Sequence, residues 1–258
     1  MINIGTAGTP VKSTLNGLSV VTENNLSAME VEFVYGVRMK NELAKKIAKE
    51  NKKYKLKLSV HAPYYINLAS LKEKKIKASI KRILNSCERA HFLDAKYVVF
   101  HPAFYQTHSK QKCYRIVKDK IEKMQNVIKE NKWNVKLAPE ITGKHSAFGN
   151  LEELLRSRKE TDCSLCIDFA HLKARNNGSI RFEKIIKKLK KFKHIHCHYS
   201  GINYTKKGEQ NHKLTDKKEA QKLLKAMIKH NIDATIISES PDPLGDAKML
   251  KKILEELK

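Results

Sequence analysis

Short apolar runs alternate with longer Lys- and Glu-rich stretches of helical period along the whole 258-residue chain. Eight of the runs have the composition of strands: INIGTA, AMEVEF, LKLSVH, YVVFHP, VKLAPE, CSLCIDF, HIHCHY and ATIISES. Between them, LKEKKIKASIKRILNSCERAHF places Ile76, Ile80, Ile83, Leu84 and Cys87 on one helical face. Similar periodicity predicts helices over 41–51, 111–131, 151–158, 180–190, 217–230 and 245–257. Strand and helix in strict alternation predict a parallel sheet. The length is close to the roughly 250 residues of an eightfold α/β barrel, and no Pro-, Gly- or Ser-rich linker divides the chain. The expected architecture is therefore α/β, a single (β/α)8 TIM barrel forming one domain over residues 1–258. An open doubly wound sheet competes with it, but GTAGTP lacks the G-x-G-x-x-G spacing of a phosphate-binding first turn.

Metal-binding residue types recur where these runs end. They are His61, His101, Glu140, Asp168, the pair His196 and His198, and Glu239, spaced by roughly the length of one strand-plus-helix unit. In a parallel barrel all of them reach the carboxyl-end face, where barrel enzymes carry their chemistry. Imidazole and carboxylate together suit zinc, with manganese or iron as alternatives, and their mixture builds multinuclear hydrolytic sites. Asp168 and His171, three residues apart at a strand exit, are placed to serve different metals. His196 and His198 share one face of their strand by period-2 parity. For His198 the roles of ligand, substrate contact and general base all stay open. His194 has the same parity but reads as the strand entrance. Cys163 and Cys166, if on one strand, face opposite sides and read as structural. In HAPYYINL, Tyr64 and Tyr65 follow His61 closely enough to stack on or wedge between bases, ordinary loop packing being the alternative. Arg38, after the second strand, is another side chain able to probe a nucleic-acid groove.

Charge adds a partner class. Lys and Arg number 52 against 27 acidic residues, a net charge of +25, which attracts polyanions unless the lysines simply solvate helix faces. Five scattered cysteines do not suggest a disulfide framework, so reduced thiols are expected. No apolar run reaches the length of a membrane span. A cytoplasmic protein with no membrane association and no obligate protein partner is the expectation.

In their order and spacing, HAPYYINL, FHPAFY, PEITGK, CIDFAHLKAR, HIHCHYSGINY and ESPDPLGDA resemble the endonuclease IV family of apurinic/apyrimidinic endonucleases, in its archaeal form. Several of these motifs are shared with the wider xylose-isomerase-like barrels. The resemblance implies two or three metal ions, usually zinc with manganese an alternative, and hydrolysis of the phosphodiester 5′ to an abasic site in double-stranded DNA, for base excision repair. It implies His61 and His101 on a first metal, and Glu140 as the catalytic carboxylate bridging to a second completed by Asp168, His196 and Glu239. His171 then matches a ligand of a third metal. In the family an Asp and a His two residues apart complete that third site. Here YTKKGEQNHKLT offers His212 but Gln210 at the carboxylate position, with Glu209 one residue earlier. Tyr64, Tyr65 and Arg38 fall where family members contact the lesion.

Two rivals remain. One is a sugar or hydroxy-carbonyl isomerase or epimerase of the same superfamily, using a single divalent metal, with Glu140 and Glu239 as ligands or as an acid/base pair. The other is a nucleic-acid-binding protein with a degenerate metal site. The number of imidazoles discriminates, because one metal has no use for His61, His101 and His171 together.

Overall fold

β-Branched and aromatic residues fill the apolar runs, and each run becomes a strand bounded by a helix. The computed structural model describes residues 1–257. In chain order the strands are β1 (Ile2–Ala7), β2 (Ala28–Glu32), β3 (Lys57–His61), β4 (Tyr97–Phe100), β5 (Ala103–Phe104), β6 (Lys136–Pro139), β7 (Ala147–Phe148), β8 (Cys166–Asp168), β9 (Ile195–Tyr199), β10 (Gly201–Thr205), β11 (Gly208–Lys213) and β12 (Ala234–Ser238). The helices are α1 (Thr14–Glu23), α2 (Asn41–Tyr54), α3 (Glu73–Phe92), α4 (Lys110–Glu130), α5 (Leu151–Thr161), α6 (Phe169–Arg175), α7 (Phe182–Leu189), α8 (Lys217–Lys229) and α9 (Pro243–Glu256).

Eight strands pair in the order β6-β4-β3-β2-β1-β12-β9-β8, and a parallel bridge between Glu140 and Cys166 closes the ring. All eight predicted strands are in the barrel. The sequence pattern did not show α1, α6, the short antiparallel pairing of β5 with β7 or the hairpin of β10 with β11. Those segments are short, and α6 and the β10–β11 hairpin carry polar residues where a longer element would show a period.

Alternation along the strands separates two interiors. Val31, Val60, Val98, Leu137, Ile167, Cys197 and Ile236 face the helices and belong to the main core. Tyr97, Val99, Ala138 and Cys166 form a small separate cluster inside the ring. Much of the remaining ring interior is polar, with Glu30, Ser59, His196 and His198 all buried. The helices close the outer core by their apolar stripes; α3 buries Ile76, Ile83 and Cys87, with Ile80 and Leu84 packed beside them. Truncating a fully buried residue such as Ile83 to Ala would cost about 2–5 kcal/mol. All five cysteines are buried and free, as expected.

Candidate metal centre

Because the strands are parallel and in register, their last residues line one mouth. Glu32 pairs with His61, and Asp168 pairs with His198. A cavity of 470 Å³ opens there, lined among others by Glu32, His61, Tyr64, His101, Lys144, His171, Glu209, His212 and Glu239.

Glu140 is the hub of this site. It is fully buried, and its Oε2 lies 3.1 Å from His61 Nε2 and 3.0 Å from His101 Nε2. Its Oε1 lies 3.2 Å from His171 Nδ1 and 3.3 Å from His198 Nδ1. Glu239 meets the same His198 Nδ1 at 3.1 Å. Asp168 caps α6 by accepting from the His171 backbone N–H at 2.6 Å, so one carboxylate both starts the helix and holds His171 in the site.

The imidazoles are oriented by acceptors that lie outside the carboxylate cluster. His61 donates Nδ1–H to Ala62 O at 2.7 Å, and His171 donates Nδ1–H to Ile141 O at 2.8 Å. His212 Nδ1 lies 2.6 Å from Ser200 Oγ, whose own proton goes to Gly201 O. A carbonyl can only accept, so these rings keep a proton on Nδ1 and turn Nε2 inward, that of His61 onto Glu140 Oε2 and that of His171 without a hydrogen-bond partner. That is the arrangement by which proteins prepare histidine for a metal.

The carboxylate missing at position 210 is supplied through a β-bulge. Asn203 pairs with Asn211 and Tyr204 with Glu209, so Gln210 is an extra, unpaired residue on β11. Glu209 and His212, three apart, would face opposite sides of a regular strand; the inserted residue restores a common side. Glu209 Oε2 then lies 3.5 Å from His171 Nε2, and the His212 and His171 rings are 5.2 Å apart. Gly208, at φ +100°, lets the hairpin settle against the loop after β6. A Cβ there would stand 2.3 Å from Gly143 O. Arg175 holds the other side of that loop, donating to the carbonyls of Thr142, Lys144 and Ala147.

Of the predicted ligands, His61, His101, Glu140, Asp168, His171, Glu209, His212 and Glu239 come together in this way. His196 does not join the quartet expected of it. Its Nε2 pairs with Glu30 at 2.8 Å one layer deeper, and its ring lies 5.3 Å from Tyr97. His198 takes that place, since the register sets it beside Asp168 and sets His196 beside Cys166. Tyr64 lines the cavity, with its ring 5.6 Å from His61. Tyr65 and Arg38 are exposed on neighbouring loops outside the cavity lining. Exposed Tyr35 and Phe104 extend the same aromatic rim. The sequence reading missed Glu30 and Glu32, although two carboxylates at i, i+2 inside the apolar run AMEVEF are the signature of a polar barrel interior.

Charge in this pocket is tightly balanced. Burial pushes the Glu32 carboxyl up to about 8, opposed by His61 and reinforced by Glu30 and Glu239. Burial likewise lifts Asp168 to about 6 against the pull of His171. Against the cost of its own burial, Glu140 is held well below the usual range because His101 and His198 face it. Burial also opposes a charge on Glu239, yet His198 holds it at about 2. Desolvation opposes a charge on His61, while Glu32 and Glu140 raise it to about 10.

A divalent cation fits this donor set. Among the described residues, five groups of side chains each have ligand atoms within 4.8 Å of one another. Three are built around Glu140 and Asp168: His61, His101 and Glu140; Glu140, Asp168, His198 and Glu239; and Asp168, His171 and His212. The other two are Cys166, His196 and His198, and Glu30, Glu32 and Glu239. Asp168 Oδ2 and His171 Nε2 are buried without a hydrogen-bond partner. Orphaned acceptors at this depth are costly unless a cation or proton meets them.

The model of the xylose isomerase-like TIM barrel family matches residues 18–258. The chain belongs to that family. One relative of this xylose isomerase-like barrel is the uncharacterized protein MJ0133 of Methanocaldococcus jannaschii, 36% identical across 100% of this chain and 98% of that protein. A probable endonuclease 4 of Mycoplasma mobile is 30% identical over 57% of this chain, which spans 49% of that relative's length. Among solved structures, endonuclease IV from Thermus thermophilus superposes with a TM-score of 0.75 at 17% identity, over 99% of both chains. A D-tagatose 3-epimerase-like protein gives 0.74 at 22% identity, over 99% of this chain and 96% of that one. Further sugar epimerases give TM-scores of 0.67 to 0.72. At such identities the likenesses establish the fold alone and leave the reaction to the site. No helix among the described residues is long and apolar enough to cross a membrane.

Proposed function

We propose that this xylose isomerase-like barrel is a metal-dependent phosphodiester hydrolase that cleaves DNA 5′ to abasic sites. The observation that carries the reading is the sharing of Glu140 and Asp168 among three ligand groups, with His61, His171 and His212 each oriented to turn Nε2 into the site. Two or three zinc ions, or manganese, held there would supply Lewis-acid activation of water and of phosphoryl oxygens. The chain's own residues do the rest. Glu140 spans the groups, Glu209 and His212 present the hairpin's ligands, and Tyr64 at the rim offers a face on which a base beside an extruded sugar can stack. Lys144 at the mouth, and other basic residues of the +25 surface, neutralise backbone phosphates. Partial likeness to the probable endonuclease 4 sequence supports the same reading.

A second reading is favoured by one specific observation. Glu140, Asp168, His198 and Glu239 form a complete single-cation quartet, and Glu140 and Glu239 both reach His198 Nδ1. A one-metal sugar epimerase needs no more, and sugar epimerases predominate among the barrels of similar shape, so at the level of fold the comparisons lean this way. The quartet leaves His61, His101, His171, Glu209 and His212 without a role, and for that reason we rank it second.

An abasic-site duplex incubated with zinc- or manganese-loaded protein decides between them, with metal counted per chain. Incision well above that of a Glu140→Gln variant, with two or three ions bound, supports the hydrolase. One ion, no incision and exchange of a ketose C3 proton with solvent would establish the epimerase.

A further inference from the structure

Most oriented imidazoles in the mouth turn Nε2 into the site; His198 is turned the other way. Its Nδ1 faces Glu140 and Glu239, and its Nε2 lies 2.8 Å from Glu30 Oε1. That last contact has the distance of an ion pair without the alignment of a formed hydrogen bond. Glu30 is fully buried inside the ring on β2, and its other oxygen accepts from Ser59 Oγ at 2.6 Å and from His196 Nε2 at 2.8 Å. Nothing in the reactions considered above uses it.

We propose that Glu30 is a positioning residue that fixes His198 as the Nε2–H tautomer and so commits Nδ1 to the cation held by Glu140, Asp168 and Glu239. The chemistry follows from the inventory of donors. A carboxylate only accepts, and Glu30 already receives protons from Ser59 and His196, so the His198 nitrogen beside it must carry a hydrogen. Nδ1 also faces acceptors, bonding to Glu140 Oε1 at 3.3 Å, and carries a proton while the quartet holds no cation. A cation would take the place of that proton, and the hydrogen against Glu30 would stay on Nε2. A carboxylate behind a ligating imidazole also raises its basicity and locks its ring plane, and losing such a partner weakens metal binding about 10- to 100-fold. His196 shares Glu30 but has no contact with Glu140 or Glu239, and its Nδ1 lacks a hydrogen-bond partner. It serves as the internal control.

The inference rests on a divalent cation in the quartet, a premise common to both readings of function. Metal-free protein titrated with Co²⁺ tests it, because visible absorption reports the coordination of the ion as well as its affinity. Wild type should bind, Glu30→Met should bind one equivalent about 10- to 100-fold more weakly with an altered spectrum, and His196→Gln should stay within about threefold of wild type. The Glu30→Met/His198→Gln double variant should bind no more weakly than His198→Gln alone, since Glu30 acts through that ring. Wild-type affinity in Glu30→Met, or an undiminished effect of Glu30→Met in the His198→Gln background, would overturn the assignment. Should Glu30→Met lose its fold by circular dichroism, ¹⁵N imidazole spectra of zinc-loaded wild type decide instead. A hydrogen on His198 Nε2 supports the proposal and one on Nδ1 refutes it. Failure of wild type itself to take up Co²⁺ would remove the metal centre, and this inference with it, a result distinct from every variant-specific one.

Discussion

The two ends of the barrel are built from the same strands and carry opposite chemistry. At the carboxyl end, Glu32, Glu140, Asp168, Glu209 and Glu239 converge with His61, His101, His171, His198 and His212, half of them buried and the rest partly so. At the amino end, a cavity of 770 Å³ is lined by Lys52, Lys55, Lys57 and Lys96 together with His194, His196 and Asp233. The lysines there are exposed, so water solvates them and they need no partner. The buried carboxylates of the mouth must each be met by an imidazole, a proton or a cation. A chain of net charge +25 thus keeps its densest acidic cluster where its chemistry lies. Net charge describes the surface, and the site has to be read from burial.

Glu140→Gln should disturb the carboxyl end most. It removes the one carboxylate that touches His61, His101, His171 and His198, and metal affinity should fall by at least about 100-fold, measured by Co²⁺ titration. Retained affinity would show that the carboxyl end is no more specialised than the other. Glu209→Gln should have the next largest effect, lowering the metals bound per chain by one equivalent in elemental analysis, while Gln210→Ala leaves the count unchanged. The reverse pattern would place the ligand at the bulged residue instead.

Acidity separates the ends more gently. His61 holds a proton up to about 10 in the metal-free pocket, so cation binding must displace it, and affinity should rise about tenfold per pH unit for each proton released between about pH 6 and 8. The sign is opposite for the metal-free fold. The stability that this raised His61 contributes is complete below the unfolded-state value of about 6.5 and is lost as pH climbs through about 10. A flat Co²⁺ affinity over that window would contradict the displacement. The smallest expected effect on the metal is at the amino end. Replacing Lys52, Lys55, Lys57 and Lys96 together by Ser should change Co²⁺ affinity by no more than about twofold, because exposed charges at that distance are screened. Lys144→Ala at the mouth should instead weaken duplex DNA binding and flatten its salt dependence by about one unit of slope.

Strand tips made much of this legible in advance. His61 and Asp168 end apolar runs, and a parallel barrel has one place to put such ends. Glu30 and Glu32 were equally visible in AMEVEF, but alternation alone does not say which face of a strand is the inside of a closed ring. His196 and His198 have identical parity, so only the alignment of β9 against β8 distinguishes them. Gln210 looks like the loss of a ligand until the pairing of β10 with β11 reveals it as the extra residue of a bulge.

Class of fold and the imidazoles and carboxylates at the strand ends were written in the order of amino acids, because both depend on local period and on side-chain chemistry. Which imidazole meets which carboxylate, which ring nitrogen faces the site, and that Glu30 stands behind His198 emerged only from the folded barrel. Those are relations between residues remote along the chain, and it takes a closed ring of hydrogen-bonded strands to bring Glu30 and His198 together. Register, twist and one inserted residue set their distances, and none of these leaves a periodic trace along the chain.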